Sequence, residues 1–276
     1  MRKLLSLFII SVLVISSCKK EDDNGPSSNH YIYIDPAPSS FTQKVLLESF
    51  VGEWNPNCPI GEDSVKAMKE IATKKIIPVS IHQGDWLEIP SFYNDIKNHL
   101  GGISGFPRAA INRIPAIKGS QIDSVVYSIY NWRVNIMEIL KNEKTSVGLA
   151  ISSNEINNKL EIKIFACNQD TLYKNARLSI YLVEDSIKSV SQMNADSNYL
   201  HQQVLKKVIT ENFGDTITLA KGEIVERIYT TNIREDYFNK KKLKIIAFLH
   251  IIGNDSKQHR VLNAQSVGLN ATQQWD

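Results

Sequence analysis

The sequence predicts an α/β region followed by an all-β region. Between residues 41 and 143, short apolar runs alternate with segments of helical period, which is typical of an α/β layer fold. Between residues 144 and 276, short apolar or alternating runs are separated by polar turns, which favours an antiparallel β-sandwich. The period changes at about Thr145, and this change sets the predicted boundary between the two domains.

Apolar periodicity defines each element of the first region. Val65, Met68 and Ile71 recur at three- and four-residue spacing, which predicts a helix. The run Ile76–His82 is almost continuously apolar and predicts a buried strand. In order, the predicted elements are strand 44–50, helix 62–75, strand 76–82, a partly helical segment 86–100, strand 108–112 and a long amphipathic helix 122–140.

The second region contains about seven candidate strands and no segment of clear helical period. Polar clusters such as residues 154–158 separate the runs and predict turns. The predicted strands are 146–152, 160–165, 178–184, 217–219, 224–230, 243–252 and 261–267.

The first seventeen residues have the features of a secretory signal peptide. Two positive charges precede an apolar run, residues 4–15, and the small Ser16 and Ser17 lead directly to Cys18. A bilayer-spanning helix needs about 20 apolar residues, so this run is too short to span a membrane. The ending Ile15–Cys18 resembles a bacterial lipobox, which implies acylation of Cys18 and its exposure as the new N-terminus. The alternative is an ordinary secreted protein.

Residues 18–40 are predicted to form the lipidated N-terminus and a flexible tether. The stretch after Cys18 is charged and rich in Pro, Gly and Ser, and therefore cannot bury a core. It resembles sequences that direct some outer-membrane lipoproteins to the cell surface. We therefore expect attachment to the outer membrane through acyl chains on Cys18, on the cell-surface side, with a spacer facing the periplasm as the alternative.

Charge and histidine distribution indicate no nucleic-acid partner, metal or cofactor. The chain has 32 Lys and Arg against 29 Asp and Glu, and loss of Arg2 and Lys3 with the signal almost balances them. Lys240–Lys242 is a single basic run without interleaved aromatics, so nucleic-acid binding is not expected. The six histidines are scattered, and none has ligand spacing to Cys, Asp or Glu.

A turn after the first strand carries the strongest chemical signal. Trp54-Asn55-Pro56-Asn57-Cys58 resembles the Trp-Cys-x-x-Cys turn of thioredoxin-like domains, which lies at a helix N-terminus. Gly105-Phe106-Pro107 resembles the loop that faces this turn in the same fold. The resemblance implies that Pro107 is cis. It also implies a vestigial redox site or peptide groove formed by Trp54, Asn55, Cys58, Phe106 and Pro107.

This motif departs from the redox pattern at one position. Asn55 replaces the first cysteine, which in a dithiol enzyme attacks the substrate disulfide, and Cys58 occupies the resolving position. We therefore predict no catalytic residue and no enzyme. Cys58 could still be a reactive thiol activated by the helix N-terminus, but an inert buried cysteine is favoured. A reductase or isomerase that works through Cys58 alone remains the alternative, and a disulfide between Cys58 and Cys167 is less favoured.

Other residues near this turn have less specific signals. His82 and Asp85 follow a strand and could form an acid–base pair, but loop hydrogen bonding is favoured because no nucleophile accompanies them. Trp54, Trp86 and Tyr93 could line a groove, although core packing is the more common fate of such aromatics.

Several short motifs occur in a defined order along the chain, at Val45–Gly52, Ser80–Asp85, Gly105–Arg108, Tyr199–Thr216 and Val261–Ala264. This order resembles the family of outer membrane protein 28-like lipoproteins. This family implies a lipobox, a thioredoxin-like domain, a β-rich C-terminal domain and no well-defined enzymatic activity. It favours a lipid-anchored scaffold or binding module for a protein or peptide partner. A self-associating adhesion or structural protein is a further alternative.

Overall fold

The computed structural model describes residues 33–119 and 124–276. The predicted signal peptide and the lipidation site Cys18 lie outside these residues. Tyr33–Asp276 forms one compact unit that is mostly β-sheet with few helices. Its elements are β1 (Val45–Val51), α1 (Cys58–Ile71), β2 (Ile76–His82), α2 (Pro90–His99), β3 (Arg108–Ile111), β4 (Val126–Ser128), α3 (Trp132–Asn142), β5 (Val147–Ile156), β6 (Lys159–Asn168), β7 (Tyr173–Glu184), β8 (Ile187–Lys188), β9 (Leu200–His201), β10 (Val204–Val208), β11 (Asp215–Leu219), β12 (Ile224–Asn232), β13 (Leu243–Ile251), β14 (Arg260–Gly268) and β15 (Thr272–Gln273).

A nine-stranded sheet forms the centre of this unit. Its order is β14-β13-β7-β10-β2-β1-β3-β4, and β11 also pairs with β7. Strands β1 and β2 are parallel, whereas β3 runs antiparallel to β1. Because side chains alternate across a strand, Leu46 and Leu47 belong to different cores on the two faces of the sheet. Both β1 and β2 are buried along their whole length, which explains their continuous apolar runs.

The three α-helices cover the two faces of the large sheet. Val65 of α1 and Ile136 of α3 share a core with Leu47, on one face. Phe92 of α2 packs with Leu46 in the core on the other face. No helix in the described ranges is long and apolar enough to span a bilayer.

A second, four-stranded sheet packs against the other end of the large sheet. Its order is β12-β6-β5-β15. Inward side chains of β5 and β6, including Ile151 and Ile162, meet Ile180 of β7 and Ile245 of β13 in a common core. Buried and more exposed side chains alternate along β6, where Leu160, Ile162 and Ile164 are fully buried. This alternation explains why β6 could be predicted from the sequence.

The large sheet runs across the boundary predicted near residues 143 and 144. The predicted boundary coincides with the end of α3, the last of the three α-helices. Strand pairing nevertheless crosses this boundary, since Val204 of β10 pairs with Ser80 of β2. Phe50 and Val79 also share a core with Tyr181 and Phe248. The two predicted domains are therefore joined by one sheet and one core. Strand β10 was missed in the sequence because Lys206 and Lys207 interrupt its apolar pattern.

Two sequence predictions need correction. The long helix predicted for 122–140 is wrong at its start, since Val126–Ser128 is strand β4 and pairs with β3, and α3 begins only at Trp132. The predicted tether also extends too far. The Trp275 indole N–H donates to the Asp35 main-chain oxygen at 2.7 Å, and Gln169 donates to the Pro38 oxygen at 2.7 Å. These bonds attach residues 35–38 to the folded unit.

Candidate functional site

The motif turn connects the end of β1 to the start of α1. The Trp54 indole N–H donates to the main-chain oxygen of Gln83 at 2.7 Å and thereby holds the ring against the loop after β2. Gly52 permits this approach, because a Cβ atom there would lie 2.5 Å from the Trp54 Nε1 atom. The Asn55 side-chain oxygen accepts a hydrogen bond from the Asn57 N–H at 2.9 Å. The side-chain oxygen of Asn55 is therefore engaged in a hydrogen bond within the turn.

Cys58 is the first residue of α1 and is only 2% exposed. Burial raises the pKa of its thiol to about 11, against the opposing effect of a 3.4 Å hydrogen bond from the Gly52 N–H to Sγ. The thiol is therefore protonated at neutral pH, which supports the inert interpretation over the activated one. Cys167 on β6 is also a buried free thiol, so the two cysteines are not joined.

Pro107 lies beside this turn, and the Phe106–Pro107 peptide bond is cis, as the resemblance implied. Gly61 of α1 fits closely against it, since a Cβ there would lie 3.1 Å from the Pro107 ring. Phe106 meets Trp54 edge to face, with ring centroids 5.2 Å apart, and Trp54 remains 43% exposed. Trp54 and Phe106 thus form an aromatic surface next to the buried thiol.

Residues 187–201, here called the covering segment, lie over the motif turn. The segment runs from β8 to β9, which pair with each other. The Met193 N–H donates to the Glu53 main-chain oxygen at 2.8 Å, and the Gln192 amide donates to the Asn55 main-chain oxygen at 3.0 Å. The Glu53 carboxylate accepts from the Ser189 hydroxyl at 2.6 Å and from the Val190 N–H at 3.0 Å. These bonds fix the segment to both residues that flank Trp54.

His201 at the end of the covering segment lies between two carboxylates. Its Nε2 is 3.0 Å from Glu53 Oε1, and its Nδ1 is 3.2 Å from Glu62 Oε1. Burial opposes the charged imidazolium, but the hydrogen bonds to Glu62 and Glu53 outweigh it and raise the pKa of His201. Burial likewise opposes ionisation of Glu53, yet hydrogen bonds from Ser189, His201 and Val190 lower its pKa to about 2. The arrangement favours a protonated histidine that joins the segment to the turn and to α1.

His82 and Asp85 form a hydrogen bond of 2.7 Å that orders the loop after β2. Asp85 also accepts from the main-chain N–H groups of Glu53 and Leu87, each at 2.9 Å. Burial opposes its ionisation, but the bond from His82 and these N–H groups lower the pKa of Asp85. With three donors engaged, the carboxylate is occupied in loop structure, in agreement with the favoured interpretation.

The structure brings together all five residues predicted for the vestigial site, and for Tyr93 it shows the core packing that was favoured over a place in a groove. Tyr93 is buried in the core beneath α2 and does not line a groove. Trp86 is 53% exposed and lies beside Lys206, whose Nζ is 5.9 Å from the ring centroid. Glu53 and His201 belong to this site although the sequence did not indicate them. They are 148 residues apart, and no spacing pattern could pair them.

The described residues contain no group of three or more His, Cys, Asp and Glu side chains arranged to hold a metal ion. The polar groups of the site instead contact one another.

The fold and the site define a β-rich protein whose single-cysteine turn is covered by its own chain. Residues 95–273 match the family model described as outer membrane protein Omp28, and the chain belongs to this outer membrane protein family. The match begins in α2, so it does not include the motif turn. A search of curated proteins finds no match.

Two solved structures are similar to this chain in fold. HBP35 of Porphyromonas gingivalis has a TM-score of 0.73 at 20% identity, over 85% of this chain and 78% of that one. A structural-genomics protein from Agrobacterium tumefaciens has a TM-score of 0.52 at 15% identity, over 84% of this chain and 97% of that one. At these identities the similarity concerns the fold alone.

Proposed function

We propose that this protein is a lipid-anchored outer-membrane lipoprotein that acts as a non-catalytic binding module. The observation that carries this proposal is the covering segment, which is hydrogen-bonded to Glu53 and Asn55 beside a buried, protonated Cys58. A thiol–disulfide enzyme needs an accessible thiolate at this turn. Here the attacking cysteine is replaced and the remaining thiol is withdrawn from solvent.

The fold proposed for this module is a redox-inactive thioredoxin-like region joined to a β-sandwich. Support for the first part is the parallel β1–β2 pair connected by α1, the antiparallel β3–β4 pair, and the cis Pro107 beside the start of α1. Support for the second part is the common core that β5 and β6 share with β7 and β13. The large sheet then provides a rigid frame for the surface around Trp54.

We further propose that an extended peptide binds beside Phe106. Among the described residues, the main-chain N–H and C=O of Phe106 have no hydrogen-bond partner. Such an unpaired main-chain segment can accept a peptide as an added strand, and exposed aromatics beside it can provide side-chain selectivity. Trp54 and Phe106 are placed to do so, since their rings are 5.2 Å apart.

Selection from a phage-displayed library of random peptides tests this binding site. Peptides recovered on the wild-type protein are expected to bind Trp54→Ala and Phe106→Ala at least tenfold more weakly. Tyr130→Ala is the matched control, because Tyr130 is a 90% exposed aromatic outside this surface. The proposal fails if every recovered peptide binds all three variants as it binds the wild type.

An insulin-reduction assay separates the binding module from the rival enzyme. We expect no turnover above the uncatalysed rate, and no difference between the wild type and Cys58→Ser. Turnover that Cys58→Ser abolishes would establish a reductase working through Cys58 alone, and would refute the non-catalytic assignment.

The anchor is tested by labelling cells that express the protein with radioactive palmitate. Label is expected in the wild type and in Cys58→Ser but not in Cys18→Ser, since acylation requires the Cys18 thiol. Proteinase treatment of intact cells then tests orientation, and degradation of the folded unit is expected for the proposed cell-surface location. Protection in intact cells but not in lysed cells would instead place it on the periplasmic face.

A further inference from the structure

Four lysines converge on one cavity away from the motif turn. The cavity has a volume of about 300 Å³ and lies at the C-terminal end of α1, the start of β2 and the ends of β13 and β14. Its size is at the lower end of the range for small-ligand sites. The lysines are Lys44, Lys69, Lys74 and Lys244.

Carboxylates pair with only two of these ammonium groups. Lys44 forms an ion pair with the Asp276 side chain, and Lys244 forms one with Asp185 at 2.5 Å. The main-chain oxygen of Asp276 accepts a hydrogen bond from the Thr42 N–H at 2.8 Å. Within the part of the chain that the structure describes, Lys69 and Lys74 form no ion pair. Four lysines and one acidic residue, Asp276, line the cavity, so its lining carries a net positive charge.

The lysines also raise one another's electrostatic energy. Burial and then the charge of Lys244 lower the pKa of Lys69, and the attraction of Asp185 opposes them only in part. Burial lowers the pKa of Lys44, and Lys74 adds to this effect against the pairing with Asp276. A bound anion would relieve this repulsion between like charges, which is stronger in a partly enclosed site than in water.

Two side chains with neutral hydroxyl groups also line the cavity. The hydroxyls of Thr73 and Ser266 line the cavity and donate to no described residue. The amide of Gln265 is instead occupied, since its Nε2 donates to Asp276 at 2.7 Å and its Oε1 accepts from Lys44 at 2.6 Å. Hydroxyls and unpaired ammonium groups that line one cavity match the oxygens of a phosphate group, which lysine commonly binds as a point charge.

We propose that this cavity binds a ligand through a phosphate group, with Lys69 and Lys74 as the principal contacts. The phosphate can belong to a free phosphoester or to a lipid headgroup, because both present the same anionic oxygens. This inference is independent of the surface around Trp54, so failure of either leaves the other unaffected.

Isothermal titration of the full chain in dodecyl maltoside micelles tests the site with inorganic phosphate and with glucose 6-phosphate. Lys69→Gln combined with Lys74→Gln is expected to weaken binding at least tenfold. The matched control is Lys144→Gln combined with Lys221→Gln, which removes two exposed lysines away from the cavity. Neither double variant is expected to unfold at a lower temperature than the wild type, since Lys69 and Lys74 make no ion pair and their removal relieves the repulsion among the cavity lysines.

Mixed micelles of dodecyl maltoside and phosphatidylglycerol distinguish the two sources of phosphate. Displacement of glucose 6-phosphate by these micelles, but not by maltoside alone, would assign a lipid headgroup. Binding of the free phosphoester that phosphatidylglycerol does not displace would assign a soluble ligand. Absence of binding to all three probes at millimolar concentration, or equal weakening in the control variant, would overturn the proposal.

Discussion

Glu48 and Arg113 form a fully buried, two-pronged ion pair at the centre of the molecule. Arg113 Nε donates to Glu48 Oε2 at 2.8 Å, and Nη2 donates to Oε1 at 2.7 Å. The same Nη2 donates to the Tyr181 hydroxyl at 3.0 Å, and the guanidinium carbon lies 5.0 Å from the centroid of the Phe248 ring. The pair thus connects β1 with β7 and β13, across the boundary predicted from the sequence.

Removing one partner of this pair should be strongly destabilising. Glu48→Gln leaves the Arg113 charge buried without a counter-ion, and such a change typically costs about 3–5 kcal/mol. Urea unfolding should show this loss. Arg234→Ala, which breaks an exposed ion pair with Asp236, is the control and should change stability little. A loss for Glu48→Gln as small as that for the control would contradict a structural role for the buried pair.

The covering segment should be held most tightly in mildly acidic solution. The pKa of Glu53 is lowered from 4.5 to about 2, so its contribution is complete above 4.5 and is lost as the pH falls towards 2. The pKa of His201 is raised above 6.5, so its contribution is complete below 6.5 and is lost as the pH rises through the higher value.

Hydrogen exchange of the Val190 and Met193 amides measures this dependence, because both donate to Glu53. Protection should be greatest between about pH 4.5 and 6.5, after correction for the intrinsic pH dependence of exchange. His201→Gln should remove the decline on the alkaline side and reduce protection throughout. A decline of equal size in the variant would show that His201 is not the responsible group.

Acidification should destabilise the protein through His99. Its ring stacks on His259 with centroids 3.7 Å apart and on Phe213 at 4.3 Å. Burial, and then the charges of Arg113 and His259, lower the pKa of His99 to about 3. Between pH 6.5 and 3, His99 is therefore protonated in the unfolded chain but not in the folded chain. The free energy of unfolding consequently decreases as the pH falls through this range.

His99→Phe keeps an aromatic ring on Phe213 while removing the titrating group. Its free energy of unfolding should depend less steeply on pH between 6.5 and 3 than that of the wild type, by about one proton. Equal slopes in the two proteins would exclude His99 as the acid-sensitive group.

Cys58 should react slowly with alkylating reagents in the native protein. A pKa of about 11 in place of 9.0 reduces the thiolate fraction at neutral pH by about 100-fold, and burial reduces access further. The rate with iodoacetamide is measured in Cys167→Ser, with the same variant in denaturant as the reference for full reactivity. A fast native rate with a midpoint below 9.0 would restore thiol chemistry as the function.

Local patterns in the sequence were sufficient to identify most of the strands and the motif turn at Trp54–Cys58. The continuous apolar runs of β1 and β2 and the alternation of β6 follow from burial on two faces or on one. Trp54, Cys58 and Pro107 could be identified because their motifs are short and contiguous. Residues 126–128 could not be assigned correctly, since a three-residue strand gains its stability from pairing with β3 rather than from its own period.

By itself, the sequence determined that the chain is rich in β-strand, that its Trp54–Cys58 motif has a single cysteine, and that it resembles the outer membrane protein family. Only the tertiary structure decided that β10 joins the two regions in one sheet, that His201 bridges Glu53 and Glu62, and that Lys69 and Lys74 share a cavity with Lys44 and Lys244. Each of these depends on contacts between residues far apart in the chain. The energies of these contacts arise from burial and charge in the folded state, and the local periodicity of the sequence does not depend on them.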